Sequence, residues 1–202
     1  MRPLLSVIGT DPRLSERAAS RRKRAAEIVS RVLAGIEPSA LVERAVESRG
    51  GYPGAAVFAF GKAALPMLRG LVDARGVEGL RGFVVAPEAP AVERPFVDEL
   101  RRVAPKLRVR FGTHPLPALD APQTGAELVA FARTLGAGDQ ALCLVSGGAS
   151  ALMELPQPGV TMEEIRRQTR SLLRADLSIT EVNRRRREWS QLKGGGLGRA
   201  IQ

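Results

Sequence analysis

Cysteine occurs once in the 202 residues, as Cys143. No internal disulfide framework and no thiolate zinc site can therefore form, which suits a reducing compartment. Histidine also occurs once, as His114, with no cysteine or acidic residue beside it in sequence to make a triad or a metal site. Aromatics are scarce (six Phe, one Trp, one Tyr), so a core must be built from Leu, Val and Ala. No apolar stretch approaches the roughly 20 residues of a membrane span. The opening "MRPLLSVIG" is too short an apolar run before Asp11 for a secretory leader. A cytoplasmic protein with no membrane partner is expected. What is present is a 44% hydrophobic composition, enough for one sizeable core.

Net charge is +10, and its distribution matters more than its size. Residues 1–24 carry seven basic and two acidic side chains, residues 25–159 fourteen of each, and residues 160–202 ten and five. The excess lies in a basic N-terminal arm, expected over residues 1–20, and in a C-terminal segment containing Arg184–Arg187. Such charge attracts phosphates of any kind. Zinc-finger spacing, an RNA-binding aromatic motif and a supply of stacking aromatics are all missing, so nothing else supports nucleic acid. A solvated charged face accounts equally well for the excess.

Helix and strand signals alternate along the chain. In residues 21–36, Ala25, Ile28, Val29, Val32, Leu33 and Ile36 recur at helical spacing, as one stripe of an amphipathic helix. A second helix is expected from Ser39, as its N-cap, through residue 49. "AAVFAF" (55–60), "GFVVAP" (82–87), "LRVRFG" (107–112) and "ALCLVS" (141–146) have strand length and apolar content. A helix is expected over 125–136, with Thr124 and Glu127 as a capping box. Another is expected from Thr180 to Lys193, ended by Gly194. Apolar strands separated by helices predict an α/β fold: a Rossmann-like, mostly parallel sheet with helices on both faces.

Ligands of such sheets bind beyond the carboxyl ends of the strands, near a topological switch point. Two strand-to-helix corners carry the relevant chemistry. After the first strand, "GKAA" places Lys62 where it and a helix start could hold an anion; a lysine at a loop end is the plainer reading. After the last, Ser146, Gly147, Gly148, Ala149 and Ser150 have the composition of a backbone nest for a phosphate or carboxylate. An ordinary strand-to-helix turn has the same composition. Neither a complete Walker loop nor a GxGxxG occurs. In "GTHPLP", His114 could hydrogen-bond a substrate, act as acid or base near neutral pH, or serve as a structural hydrogen-bonder. On the expected last helix, Asn183, Arg186, Arg187, Ser190 and Lys193 share one side, either as a ligand face or as a plain polar surface.

Together, "GKAA", "THP", "LVSGGASALMELP" and "PGVTMEEIRRQTRSLLRADLSITEVNRRRREWSQLKGGGLGRA" resemble the N-terminal domain of the glycerate 2-kinase family, whose second domain carries the MOFRL name. The resemblance runs from about residue 22 to 200. It implies ATP-dependent phosphorylation of D-glycerate to 2-phosphoglycerate, with Mg²⁺ arriving on the nucleotide. It also implies catalytic roles for Lys62 and Arg186, and ligand contacts from Ser146–Ser150, His114, Asn183, Ser190 and Lys193. No residue is assigned to a metal. Arg184 and Arg185 depart from the family pattern, which has small or apolar residues there, and Glu188 replaces a frequent histidine. Family members also continue for about another domain. Residues 21–202 are accordingly expected to form the N-terminal domain without its MOFRL partner. A separately encoded C-terminal domain or a second copy of the chain is then an expected partner. A non-catalytic binding or assembly domain with the same fold is the alternative.

Overall fold

The computed structural model describes residues 15–201. The expected basic arm lies outside these residues as far as residue 14, and its remainder is helical from Glu16. Nine helices and four strands are described: α1 (Glu16–Gly35), α2 (Pro38–Glu47), β1 (Ala56–Phe60), α3 (Ala64–Arg75), β2 (Gly82–Pro87), α4 (Arg94–Val103), β3 (Leu107–Gly112), α5 (Ala121–Ala132), β4 (Ala141–Val145), α6 (Ala149–Leu152), α7 (Met162–Arg174), α8 (Ile179–Glu188) and α9 (Gly196–Ala200). All strand pairs are parallel, in the order β3-β2-β1-β4. The chain winds outward from β1 through β2 to β3, then crosses back to place β4 on the other side of β1. The switch point therefore lies between β1 and β4.

Central strands β1 and β2 are buried along almost their whole length, as their unbroken apolar runs require. Alternate residues face opposite layers. Val57, Ala59 and Val84 pack with Leu68 and Leu71 of α3 and Val97 and Leu100 of α4. Phe58, Phe83 and Val85 pack with Leu128 and Ala132 of α5. Phe58 and Phe83 sit side by side in register with no exposure, each stabilising the fold by roughly 1.5–3 kcal/mol through burial.

The edge strands depart from the expectation of complete cover. On β4, Leu144 is buried, whereas Ala141, Cys143 and Val145 are exposed, Val145 by 63%. Cys143 is the register partner of buried Phe58, so the layer that covers β1 stops short of β4. Partial desolvation nevertheless raises the pKa of the Cys143 thiol.

Four local expectations need correction. The stripe of α1 does not face a core: only Ala26 is buried, and Ile28, Val29, Val32 and Ile36 are 44–57% exposed. Helix α2 is capped by Glu37, not Ser39. With Pro38 filling the first position, the Glu37 carboxylate accepts from Ala40 N (2.9 Å) and from the Ser39 hydroxyl. Helix α5 begins at Ala121, a turn before Thr124, and Glu127 pairs with Arg110 (2.7 Å) across to β3 instead of capping. The helix expected to reach Lys193 stops at Glu188, after which residues 189–191 join the segment following α6.

Candidate functional site

The two corners singled out in the sequence meet at the switch point, because their strands are neighbours. Ser146 N donates to Phe60 O (2.9 Å), Lys62 N donates to Gly147 O (2.9 Å), and Ala63 N donates to Ser146 Oγ (3.0 Å). Gly61 makes this contact possible. Its φ is +113°, and a Cβ there would stand 2.3 Å from Ser146 Oγ and 2.5 Å from Ser146 O. The Ser146 hydroxyl, expected as a ligand donor, is thus committed to the fold: it accepts from Ala63 and donates to Phe60 O (3.3 Å).

The rest of the loop is differently placed. Among the described residues, the amides of Gly147, Gly148, Ala149 and Ser150 have no acceptor. Gly148 has φ +88°, in the left-handed region that glycine enters without penalty. Gly147 does not have a positive φ, and a Cβ added to it would meet nothing within 4 Å. One cluster of expected residues converges here. A Cβ on Gly148 would lie 3.1 Å from His114 Cδ2 and 3.2–3.3 Å from Lys62 Cγ and Cε. Both side chains are exposed, and the His114–Pro115 peptide is cis. Thr113 Oγ1 donates to Leu116 O (2.7 Å), closing the turn that carries His114 over from β3.

The second cluster forms where the chain after α8 is pinned to the chain after α6. Pro156 and Ser190 form an antiparallel bridge; Gln157 N donates to Trp189 O (2.9 Å) and Gln191 N to Leu155 O (2.8 Å). Arg186, half-buried on α8, donates through Nη2 to Ser150 O (2.9 Å), which ties it to the amide loop. Desolvation lowers its pKa, and the charge of Glu154 acts the other way. Lys193 pairs with Glu154, a carboxylate only 2% exposed. Burial lowers the ammonium's pKa, with Glu154 opposing and Arg186 adding to the depression.

Two expected ligand contacts are therefore occupied internally. Ser190 is buried, and its hydroxyl accepts from Leu192 N (3.2 Å) and Lys193 N (3.3 Å), so it serves as a cap. Lys193 is half of an internal ion pair. Neither shares a helix face with Asn183 and Arg186, because α8 ends first. Asn183 is exposed on α8, three residues from Arg186. Arg184 and Arg185 are neutralised within α8: Glu181 pairs with Arg184 (2.7 Å) and Arg185 (3.1 Å), and Glu188 with Arg184 (3.2 Å).

Glu154 was missed in the sequence, although a signal existed: it is the one charged residue in the otherwise apolar "SALMELP". Among the described residues no group of three His, Cys, Asp or Glu side chains could hold a metal ion, and no helix is long and apolar enough to cross a membrane. A hollow of about 580 Å³ opens beside Tyr52 and Gln140, before β1 and β4 and so at the opposite end of the sheet. Its Asp139 is already paired with Arg81 (2.5 Å), and it brings no chemistry to the switch point.

Fold and site together define a doubly wound α/β domain with a cationic, amide-lined wall at its switch point. Residues 24–202 match the family described as "Domain of unknown function (DUF4147)". The D-glycerate 2-kinase of Thermotoga maritima is 31% identical over 176 residues, covering 87% of this chain and 40% of that protein. Human glycerate kinase is 37% identical over 146 residues, covering 70% of this chain and 28% of its own length. The crystal structure of the Thermotoga maritima glycerate kinase superimposes with a TM-score of 0.73 at 29% identity, over 90% of this chain and 42% of that one. The chain belongs to this family and is an N-terminal domain of the glycerate 2-kinase family. It spans about 40% or less of the length of these relatives.

Proposed function

We propose that this domain supplies one wall of an ATP-dependent glycerate 2-kinase, which transfers the γ-phosphoryl group of ATP to the 2-hydroxyl of D-glycerate. The observation that carries the reading is the convergence of Lys62 and His114 on Gly148, beside four amides without acceptors. Phosphoryl transfer asks a protein mainly for positioning and for neutralising charge on the moving group. Lys62 and the amides of Gly147–Ser150 are suited to the phosphoryl oxygens, with His114 as a further polar contact. Arg186, already anchored to the loop through Ser150 O, can offer its planar fork to the glycerate carboxylate, with Asn183 beside it. Lys193 and Ser190 act one step back, through the segment that carries Arg186.

Mg²⁺ would enter on the nucleotide, since the described residues contain no carboxylate cluster to hold it independently. Lys62 and the loop amides would share the phosphate charge with it. The facing wall is assigned to a C-terminal domain, encoded with this one or separately, and the complex to the cytoplasm. A second reading, a binding or assembly domain without catalysis, draws on the exposure of Lys62 and His114: nothing in this wall encloses a transition state.

A coupled ATPase assay with D-glycerate tests both readings, using Lys62→Ala as background. The chain alone should bind D-glycerate or phosphate weakly but turn over far below the roughly 1–100 s⁻¹ of kinases, because each missing transition-state donor costs about 2.7–4 kcal/mol. Adding the remaining length of a relative should restore turnover. Full turnover by the chain alone would refute the one-wall reading, and no anion binding at all would refute the site.

A further inference from the structure

We propose that Glu154 is a positioning residue, whose buried carboxylate fixes Lys193 and, through that pair and the 186–193 segment, holds Arg186 toward the amide loop. This rests on the anion-site reading above and adds a residue to it. Glu154 is 2% exposed, and burying a carboxylate costs several kcal/mol unless it is well paired. Its partner is the Lys193 ammonium, which also donates to Ser190 Oγ (3.5 Å). Ser190 in turn caps the amides of Leu192 and Lys193, so the carboxylate, the ammonium and the turn after α8 form one connected unit.

The backbone around Glu154 is fitted as closely. A Cβ on Gly125 would lie 2.3 Å from Glu154 O, and a Cβ on Gly112 would lie 2.1 Å from Leu152 O. Two glycines on β3 and α5 thus let the 152–154 segment settle directly onto the sheet, which sets the position of the carboxylate. Arg186 feels this charge while donating to Ser150 O (2.9 Å). The groups acting on Lys193 are Glu154 and Arg186, one of each sign. Glu154, Lys193 and Arg186 therefore carry one uncompensated positive charge on a single wall.

Charge counting and positioning make opposite forecasts for Glu154→Gln. Counting alone says that removing a negative charge beside an anion site strengthens anion binding. Positioning says that the isolated ammonium gives up its proton more readily, the 186–193 segment loosens and binding weakens.

The test measures D-glycerate and inorganic phosphate affinity by calorimetry from pH 6.5 to 9.5 for wild type, Glu154→Gln and Glu154→Asp. In parallel, NMR of ¹³Cε-labelled lysine follows the titration of Lys193, one of only four lysines. We expect Glu154→Gln to bind about tenfold more weakly, the scale of one charge-assisted contact. Its Lys193 titration should fall below wild type, so that affinity declines at lower pH than in wild type. Glu154→Asp keeps the charge but shortens the reach, and should recover most of the titration and part of the affinity.

Equal or tighter anion binding by either folded variant overturns the proposal, as does weaker binding with an unmoved Lys193 titration. If Glu154→Gln does not fold, Glu154→Asp decides by its affinity alone. Should wild type bind neither anion, the proposed function falls. The Lys193 titration in Glu154→Gln still decides this residue's role: a downward move supports it and an unmoved one sinks it.

Discussion

Replacing Gly147 and Gly148 separately by alanine distinguishes an anion loop from a simple turn. At Gly148 the backbone is left-handed (φ +88°), and a Cβ would crowd Lys62 and His114 at 3.1–3.3 Å. Holding an L-residue there costs about 1–2 kcal/mol, while the two exposed side chains can move aside at little further cost. Gly148→Ala should therefore lower unfolding stability by about 1–2 kcal/mol. Gly147 is different: its φ is not positive and its Cβ would enter open space. Gly147→Ala should leave stability within about 0.5 kcal/mol of wild type. If the open space beside the amides of Gly147–Ser150 is where an anion sits, the same methyl should weaken phosphate binding by about tenfold or more, or about 1.4 kcal/mol. Gly159→Ala serves as a control, since its φ of +83° imposes comparable strain with nothing within 4 Å. Urea denaturation and phosphate titration by calorimetry provide both readouts. A folded Gly147→Ala variant with unchanged phosphate affinity would refute the close approach of a ligand to this loop.

Other substitutions test the remaining joints. Gly61→Ala would push a Cβ into Ser146 O and Oγ, breaking three corner hydrogen bonds worth about 1 kcal/mol each in addition to backbone strain of about 1–3 kcal/mol. Denaturant unfolding should show a loss of about 4–6 kcal/mol or no folded state, and a loss under 1 kcal/mol would contradict the stapled corners. Arg186→Lys should weaken D-glycerate binding about tenfold, because a point charge replaces a fork anchored to Ser150 O; Arg184→Lys, paired with Glu181 and Glu188 on the exposed side, should not. Equal effects in calorimetry would indicate unspecific attraction by the whole basic run. Glu181, held by the Arg184 and Arg185 guanidiniums at a pKa of about 2 against an ordinary 4.5, stabilises α8 fully above its ordinary value. That contribution is lost as pH falls toward 2, so the difference in α8 amide exchange between wild type and Glu181→Gln should vanish at the acid end.

The strands were the most legible part of this sequence, for a physical reason. β2 and β3 coincide with the expected runs, and β1 and β4 with all but one residue of theirs, because parallel strands must be apolar and their neighbours Gly61, Gly82 and Gly112 mark close approaches. Helix ends were less legible. Glu37 outcompeted Ser39 because Pro38 fixes where α2 starts, and the last helix stopped at Glu188 because residues 189–191 found partners in 155–157. No local pattern reports such a distant pairing. The same limit applied at the site. Lys62, His114 and the glycine loop could each be picked out by composition, but only the β1–β4 adjacency, together with the turn after β3 that carries His114, makes them one constellation. The roles of Ser146, Ser190 and Lys193 depended on partners at sequence distances of 2 to 86 residues, and all three are more committed to the fold than composition implied. Glu154 was hidden for the converse reason, since burial of a single acid is decided by a lysine 39 residues away.

The exposed surfaces of α1 and β4 bear on how such a wall is used. A 20-residue helix in water is only marginally stable on its own propensity, and α1 buries Ala26 alone while exposing Ile28, Val29, Val32 and Ile36. β4 similarly presents Val145 at 63% exposure, and among the described residues it is an edge strand with one unpaired row of backbone donors and acceptors. Its last residue, Val145, immediately precedes the amide loop, so the exposed edge and the proposed anion site are contiguous. A chain that covered that edge would reach the rim of the proposed site. Cover at β4 would leave the bonds of the wall in place, Lys62 N to Gly147 O and Arg186 Nη2 to Ser150 O, and would add enclosure and desolvation around Lys62, His114 and the four amides. Desolvation is what makes fixed donors effective, because the same charges act far more strongly once water is excluded. On the proposed reading the domain contributes orientation and positive potential, and an element that covered β4 would contribute the low dielectric in which they act.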